Sequence, residues 1–357
     1  MTHCPATIDD LRHVVVATPR LSIRGGGTKP GLSGSFDNRS VINMSGLTGI
    51  TEHTPEECTF SALAGTPTAH IERRLRAHGQ YLPFDPPLMD AGATIGGAVA
   101  AGASGSCRYR YGGIRDFLIG ARIVDGRGEV ITAGGKVVKN AAGLLLHQAM
   151  VGSCGRFGIL AELTFKVFPC AKARATVKAS AADLAGALEA MNRVRRAQFE
   201  LEAIDIEAPS TLLLRLGGAA DALPSRVDAL RRSLGLGSEL LEGAADDAEW
   251  QRAREFSWAA PGEPFVRVPL TTPRVPALDA WLTRCGAARR YALAGNVAFV
   301  SWPKPLDELS DALNALGLRG QVLIGPPGRQ FIGSPPDDEF GRRVASVLDP
   351  DGRFRHD

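Results

Sequence analysis

The first half of the chain alternates short apolar, β-branched runs with glycine-rich connections. Runs of this length that are bounded by glycine are typical of β-strands. The pattern predicts strands in this half at residues 14–16, 21–23, 118–124, 129–132 and 159–167. Between them, Ile71 and Leu75 lie one helical turn apart and Gly79 follows, which predicts a helix over residues 66–78.

The pattern changes beyond residues 168–170, where apolar positions recur with helical spacing. It predicts helices at residues 182–196, 223–234, 246–256, 274–285, 306–316 and 337–347, and strands at 203–206, 212–216, 265–270, 297–301 and 321–324. This alternation predicts an antiparallel sheet with helices on one side. The sequence therefore predicts an α+β fold, with a first domain at residues 1–169 and a second at residues 170–357.

Composition narrows the class of protein. A hydrophobic content of 44% and a charged content of 22% are those of a globular enzyme with a sizeable core. The net charge is only +3 and no basic stripe with interleaved aromatics is present, so we expect no nucleic-acid binding. The cysteines include no C-x-x-C pair and the histidines no H-x-x-x-H pair, so we expect neither an iron–sulfur cluster nor a metal site in this chain.

The N-terminal residues lack a positively charged segment followed by an apolar one, which a secretory signal would have. No uncharged apolar run approaches the roughly 18–20 residues that span a bilayer. We therefore expect a cytoplasmic protein that meets the inner membrane, if at all, only through its partners.

The segment R-G-G-G-T-K-P-G at residues 24–31 follows a predicted strand. Consecutive glycines adopt positive φ angles and let successive N–H groups form an anion-binding nest, for which a pyrophosphate is a natural occupant. The spacing is neither that of a P-loop nor that of a Rossmann motif, because Pro30 and Gly31 prevent a helix from starting there. A plain tight loop is the alternative interpretation.

Three more glycine-rich segments follow in order. Residues 90–105 are mostly glycine, alanine and serine, which indicates either a closely packed helix or a helix that starts at Thr94 with free N–H groups facing phosphate. Residues 108–120, R-Y-R-Y-G-G-I-R-D-F-L-I-G, would line a cofactor or form a solvated turn. Residues 134–143, G-G-K-V-V-K-N-A-A-G, and residues 150–160, M-V-G-S-C-G-R-F-G-I-L, complete the set.

Together these motifs resemble the FAD-binding domain of the vanillyl-alcohol-oxidase (PCMH) superfamily over residues 7–169. The variant K-V-V-K-N-x-A-G is similar to that of the FAD-binding E-subunit family of bacterial glycolate oxidase. The likeness is weaker over residues 265–270 and 348–354, and the family's ending N-P-G-R is replaced by R-H-D at residues 355–357. The resemblance implies a PCMH-type domain of two α+β subdomains, followed by an α/β cap domain with an antiparallel sheet.

The resemblance also implies which residues bind FAD: Arg24, Gly25, Gly26, Gly27 and Thr28 at the pyrophosphate, Thr94, Gly96, Gly97, Ser104 and Gly105 at the pyrophosphate and ribityl oxygens, Tyr111 and Gly112 along the cofactor, and Gly158 and Ile159 at the adenosine or the flavin edge. Some relatives attach flavin covalently through a histidine next to the glycine loop. That position is Thr28 here, so we expect non-covalent FAD.

The implied function is that of a glycolate oxidase subunit, which would work with a related flavoprotein subunit and an iron–sulfur subunit. Glycolate, a small 2-hydroxy acid, would be oxidised to glyoxylate, and the electrons would pass to the respiratory chain. Two alternatives stay open, a self-sufficient FAD-dependent 2-hydroxy-acid dehydrogenase and a non-catalytic assembly subunit that has kept the fold.

Catalytic residues stay unassigned, because the sequence departs from the family at two places. The family's Tyr-Asp-Leu after residue 143 is Leu-Leu-Leu here, and the histidine-rich metal site of the D-lactate and glycolate dehydrogenase relatives is missing from the second half. An anion pocket built from Arg267, Arg289, Arg290 and Tyr291 is one candidate, although arginines more often form salt bridges. His147 would either approach the flavin or serve as a structural histidine.

Overall fold

The computed structural model describes residues 1–34, 38–135, 145–334 and 338–354. The helices of the described residues are α1 Ile8–Ala17, α2 Thr68–Arg76, α3 Ile95–Ala101, α4 Arg108–Tyr111, α5 Ile114–Phe117, α6 Leu146–Ala149, α7 Leu184–Arg196, α8 Leu223–Leu234, α9 Ala244–Arg254, α10 Val275–Arg284, α11 Leu306–Ala315 and α12 Glu339–Leu348. The strands are β1 Thr2–His3, β2 Leu21–Arg24, β3 Ser40–Asn43, β4 Ile50–Thr54, β5 Thr59–Leu63, β6 Gln80–Tyr81, β7 Leu118–Val124, β8 Val130–Gly134, β9 Ile159–Lys166, β10 Phe168–Pro169, β11 Ala173–Ser180, β12 Ala203–Glu207, β13 Thr211–Gly218, β14 Ser238–Glu242, β15 Phe265–Pro269, β16 Ala288–Ala292, β17 Val297–Ser301, β18 Arg319–Ile324 and β19 Phe331–Gly333.

The first half contains two principal sheets that share one core. Strands β1-β3-β2 form a parallel three-stranded sheet, and β4-β5-β9-β7-β8 form an antiparallel five-stranded sheet. Phe84 packs against both Phe117 and Phe165 in the middle of this core, at centroid distances of 5.8 and 5.6 Å. Burial of such large aromatic side chains contributes strongly to folding.

The predicted strand at residues 14–16 is wrong, because these residues lie in α1. Thr7 and Asp10 form a capping box at the start of this helix, which satisfies two backbone N–H groups. Leu11 and Val15, one turn apart, are then buried on the same face of the helix. The capping box and the helical spacing therefore outweigh the strand preference of three consecutive valines.

The second half is organised around a nine-stranded sheet in the order β14-β11-β13-β12-β16-β17-β15-β18-β19, in which every neighbouring pair is antiparallel. This confirms the predicted antiparallel sheet and the α+β class. One face packs against α7, α8, α10 and α11. The opposite face contacts α9, where Leu213 packs with Trp250, and it also contacts residues of the first half. The expectation of helices on one side is therefore wrong for α9.

The C-terminal segment returns to the first half. Leu348 of α12 and Phe354 both belong to the core of the first half, and the Phe354 amide donates to Asp349 Oδ2 at 2.8 Å. The C-terminal segment therefore packs with the first half, although it follows residue 169 in the sequence. The domain boundary at residue 169 stays a prediction. None of the helices in the described part of the chain combines the length and apolar composition needed to cross a bilayer.

Candidate cofactor site

A cavity opens where the glycine loop after β2 meets α3 and the turn before β9. Of the predicted cofactor-binding residues, it is lined by Arg24, Gly25, Gly26, Gly27, Thr28, Thr94, Gly96, Gly97 and Gly158. Sequence reasoning left out further polar lining residues, namely Ser22, Lys29, Ser33, Ser153 and Cys154. Among the described residues, the lining contains two cations and no carboxylate, so the cavity favours an anionic occupant.

The glycine loop lies directly against the segment that leads into α3. A Cβ on Gly25 would lie 2.5 Å from Thr94 Oγ1, and a Cβ on Gly26 would lie 1.9 Å from the carbonyl oxygen of Gly92. Gly27 has a φ of +69°. These contacts and this angle exclude side chains at the three positions, so the backbone itself forms the wall of the cavity.

The backbone amides of Gly26, Gly27 and Thr28 have no protein acceptor among the described residues. Successive N–H groups in such a turn form a concave anion site. A pyrophosphate would supply the missing acceptors, and Arg24 at the same cavity would balance part of its charge. The loop therefore fits the phosphates of a dinucleotide.

Helix α3 starts as the sequence predicts, with Thr94 as its N-cap. The Thr94 hydroxyl accepts from the Gly97 amide at 3.2 Å. The Ile95 amide donates to the carbonyl of Thr66 at 2.9 Å, and the Gly96 amide donates to another carbonyl. The expected free N–H groups are therefore not available at this end of α3, which contributes small side chains and its dipole to the cavity instead.

Two serine hydroxyls mark the cavity as a polar binding site. Ser22 Oγ on β2 and Ser153 Oγ in the turn before β9 are buried, line the cavity and have no hydrogen-bond partner among the described residues. Buried hydroxyls are almost always paired in folded proteins, so a ligand is their natural partner. The segment at residues 150–160 had been singled out by its glycines, but Ser153 follows only from the structure.

Lys29 lies at the edge of the cavity where the glycine loop meets the second half. Its Nζ donates to Thr28 Oγ1 and to the carbonyl of Pro87, both at 3.3 Å, and it forms no ion pair with a described carboxylate. Burial lowers the pKa of Lys29 to about 8, with Glu255 opposing the shift and Arg267 adding to it.

Arg267 on β15 lies behind the cavity wall, of which Ala101 and Cys154 are part. Its Nη1 donates to the carbonyl of Gly102 at 2.9 Å, and its Nη2 donates to Gln321 Oε1. Arg267 Nε is buried without a partner among the described residues, and burial lowers the pKa of this guanidinium to about 10. Arg267 is therefore a further cation beside the cavity, and no carboxylate of the described residues pairs with it.

The other members of the predicted anion pocket form ion pairs and hydrogen bonds with residues of the second half. Arg289 Nε donates to Asp279 Oδ1 at 2.6 Å, and the Tyr291 hydroxyl donates to the same oxygen at 2.7 Å. Arg290 Nε donates to Asp205 Oδ2 at 2.8 Å. These contacts favour the salt-bridge interpretation of both arginines. Arg290 Nη2 is buried without a hydrogen-bond partner among the described residues, and an anion pocket at these residues stays a prediction.

His147 of α6 is buried, and it is not among the residues that line the cavity. Its Nδ1 has no partner among the described residues, and burial lowers its pKa, so the ring is neutral near pH 7. These contacts favour the structural interpretation of this histidine.

Two of the predicted cofactor contacts use their hydroxyls elsewhere. Ser104 Oγ accepts from the Ile114 amide at 3.0 Å, and the Tyr111 hydroxyl donates to Glu202 Oε1 at 2.8 Å. Neither residue lines the cavity. Their contacts with cofactor stay predictions.

Three further predicted residues also lie outside the cavity lining. Gly105 and Gly112 allow close packing, since a Cβ would lie 2.4 Å from the Asp85 carbonyl oxygen at the first and 2.6 Å from Asp116 Oδ2 at the second. Ile159 is buried at the start of β9. The K-V-V-K-N-A-A-G motif and Leu144 lie outside the described residues.

The first half of the chain is similar to a known family. Residues 1–134 match a family model described as an FAD binding domain. The matched stretch includes the glycine loop and α3, which line the cavity, and the match supports FAD as the cofactor.

The relatives extend the similarity beyond that domain. The chain is 35% identical over 231 residues to the glycolate oxidase subunit GlcE of Escherichia coli, covering 64% of this chain and 60% of that protein. It is 29% identical over 190 residues to the glycolate oxidase subunit GlcD of Bacillus subtilis, covering 53% of this chain and 40% of that protein. The matches therefore span 60% of one relative and 40% of the other.

The whole fold is similar to solved structures of alkyldihydroxyacetonephosphate synthase. One of these superposes with a TM-score of 0.74 over 99% of this chain and 75% of that chain, at 16% sequence identity. Together with the family match, this likeness confirms the predicted fold class, a mixed α and β structure of the PCMH type with a large antiparallel sheet.

Proposed function

We propose that this chain is the FAD-binding subunit of a glycolate oxidase, which oxidises glycolate to glyoxylate. It would work with a related flavoprotein subunit and an iron–sulfur subunit that receives the electrons, and it would meet the inner membrane only through these partners. The proposal is supported by the similarity to two glycolate oxidase subunits, one of which is 35% identical to this chain.

The observation that carries the proposal is the cavity itself. Consecutive free amides at the glycine loop and the unpaired hydroxyls of Ser22 and Ser153 fit a dinucleotide cofactor. FAD, when bound, supplies the hydride acceptor that oxidation of an alcohol needs. Thr28 stands where some relatives carry the histidine that links flavin covalently, and a threonine hydroxyl is a poor nucleophile near pH 7, so binding would be reversible.

The residues of this chain would orient the substrate and the cofactor. The glycine loop would hold the phosphates, while Lys29 and Arg267 give the cavity a positive potential that attracts a carboxylate. A positive cavity of this kind favours an acid over a neutral alcohol.

The test is reduction of bound flavin by glycolate. The purified full chain is loaded with FAD, mixed anaerobically with glycolate, and its visible flavin absorbance is followed. Rapid bleaching by the isolated chain would support substrate oxidation on this flavin. Bleaching only after the partner flavoprotein is added would make the chain an electron relay, and failure to retain FAD would make it a non-catalytic assembly subunit.

A further inference from the structure

Lys29 is not explained by the fold alone. Its ammonium group has only neutral acceptors, the Thr28 hydroxyl and the Pro87 carbonyl, and both lie at the long end of hydrogen-bond range. Part-buried ammonium groups usually pair with a carboxylate, because desolvation otherwise destabilises the charge. No described carboxylate takes this role, so the structure leaves one anion-binding position open at Nζ.

The charged groups around Lys29 also favour binding of an anion at its ammonium group. Arg267 on β15 and Arg24 at the end of β2 are both cations, and burial raises the pKa of the Cys154 thiol, which therefore stays neutral. Among the described residues, Glu255, which follows α9, is the acid that raises the pKa of Lys29 through its charge. Its carboxylate already accepts from the amide of Asp90 at 3.1 Å and of Ala91 at 3.3 Å and pairs with Arg254.

The position of Lys29 suits a substrate better than the phosphates. Lys29 immediately precedes the 3₁₀ turn Pro30–Leu32, which packs against β18 of the second sheet, so that a Cβ on Gly31 would lie 2.6 Å from the Val322 carbonyl oxygen. The ammonium group therefore lies at the junction of the two halves, whereas the free amides of the loop precede it. Small-molecule sites commonly form at such junctions.

The geometry points to Lys29 as the residue that binds the carboxylate of the acid substrate at the junction of the two halves. This inference rests on the proposed function, since it needs an acid to be bound in the same cavity as FAD. Arg267 supports it from behind the cavity wall as a positive charge that forms no ion pair with a described carboxylate.

The experiment uses the full chain loaded with FAD and oxalate, an unreactive diacid, as the probe. Oxalate binding is measured by the change that it causes in the visible spectrum of bound FAD. Lys29→Met is compared with Lys29→Arg, which keeps the charge, and with Lys172→Met, which removes an exposed lysine before β11. We expect Lys29→Met to raise the Kd of oxalate roughly 10- to 100-fold, as for loss of a charge-assisted hydrogen bond, with the Kd of FAD changed less than threefold.

The control variants, the Kd of FAD and the oxalate affinity of the wild-type chain distinguish the possible outcomes. Lys29→Arg should restore most of the oxalate affinity and Lys172→Met should leave it unchanged. Equal oxalate affinity in Lys29→Met and wild type would overturn the inference and leave the proposed function standing. Loss of FAD rather than oxalate would place Lys29 at the phosphates and would also overturn it. A wild-type chain that binds FAD but not oxalate would remove both the inference and substrate binding by this chain.

Discussion

The guanidinium of Arg267 on β15 donates a hydrogen bond to the carbonyl of Gly102, the C-terminal cap of α3, at 2.9 Å. The last carbonyls of a helix carry partial negative charge and lack partners within the helix, so a cation is favourable there. This contact joins the second sheet to the short helix whose other end lines the FAD cavity. The position of α3 is therefore coupled to the second half of the chain.

Replacement of Arg267 should destabilise the fold. Arg267→Met leaves the Gly102 carbonyl and Gln321 Oε1 without their donor, and a buried unsatisfied group costs about 1–3 kcal/mol. We expect urea denaturation of the apo chain to show a loss of this size, together with weaker FAD binding. Arg343→Met is the matched control, because Arg343 is exposed on α12 and pairs only along its own helix with Glu339. An equal loss in both variants would contradict the prediction.

Gly26 should be the most sensitive position of the glycine loop. In Gly26→Ala the new Cβ would lie 1.9 Å from the Gly92 carbonyl oxygen, and neither backbone segment can give way without moving the amides that face the phosphates. We expect the FAD affinity to fall at least tenfold, measured by quenching of free flavin fluorescence. Gly237→Ala is the control, since no atom lies within 4 Å of a Cβ there, and it should bind FAD like wild type.

Replacement of Ser153 should affect FAD binding but not the stability of the apo chain. Its hydroxyl is buried without a described partner, so Ser153→Ala should leave the apo chain as stable as wild type or slightly more stable. The same change should weaken FAD binding by about 0.5–1.5 kcal/mol, the net value of one hydrogen bond. Thermal unfolding with and without FAD measures both quantities. A clear loss of apo stability would show that the hydroxyl has a structural role instead.

Much of this architecture could be predicted where local patterns and packing agree. The six helices predicted for the second half are found within a few residues of their expected bounds, and α7, α8, α10 and α11 each bury an apolar face. Strand β16 was missed because Arg289 and Arg290 within it are buried, and they are tolerated there only by acids from other elements, such as Asp279 and Asp205. No local pattern contains such a pairing.

In the candidate site, too, local features could be predicted from the sequence, whereas contacts between distant residues could not. The glycine loop was recognisable, because positive φ and close backbone approach require glycine whatever surrounds it. The environment of Lys29 was not, since Pro87 and Arg267 come to it from positions far away in the chain. For the same reason Ser104 and Tyr111, predicted as cofactor contacts, are found bonded to other protein groups.

Asp205 should stabilise the second half without affecting the cavity. Its carboxylate accepts from Arg290 Nε and from the Ser106 hydroxyl, at 2.8 and 2.6 Å, in a buried position. Asp205→Ala leaves part of the charge of Arg290 uncompensated, so we expect a loss of about 3 kcal/mol or more in the free energy of unfolding. Asp307→Ala, which breaks the exposed pair with Arg329, should cost less than about 1 kcal/mol. A changed Kd for oxalate in folded Asp205→Ala would restore Arg290 as a substrate contact.

The ionisation of Lys29 predicts how oxalate affinity depends on pH. The folded apo chain holds this pKa at about 8, below the ordinary value of 10.5, and only the protonated form attracts a carboxylate. The Kd of oxalate should therefore be constant well below pH 8, and above it should rise towards the Kd of Lys29→Met, where it levels off. In Lys29→Arg this rise should disappear, because a guanidinium stays protonated throughout the range.

The lowered pKa of Lys29 predicts that the stability of the apo chain rises with pH, whereas its affinity for oxalate falls. Because the folded pKa lies below the unfolded one, the penalty for the buried charge is fully present below pH 8. It is relieved as the pH rises from about 8 to 10.5, where the unfolded chain binds more protons than the folded one. Relative to Lys29→Met, wild-type apo chain should therefore gain stability over this interval while it loses affinity for oxalate. Parallel trends in the two measurements would show that a group other than Lys29 controls the pH dependence.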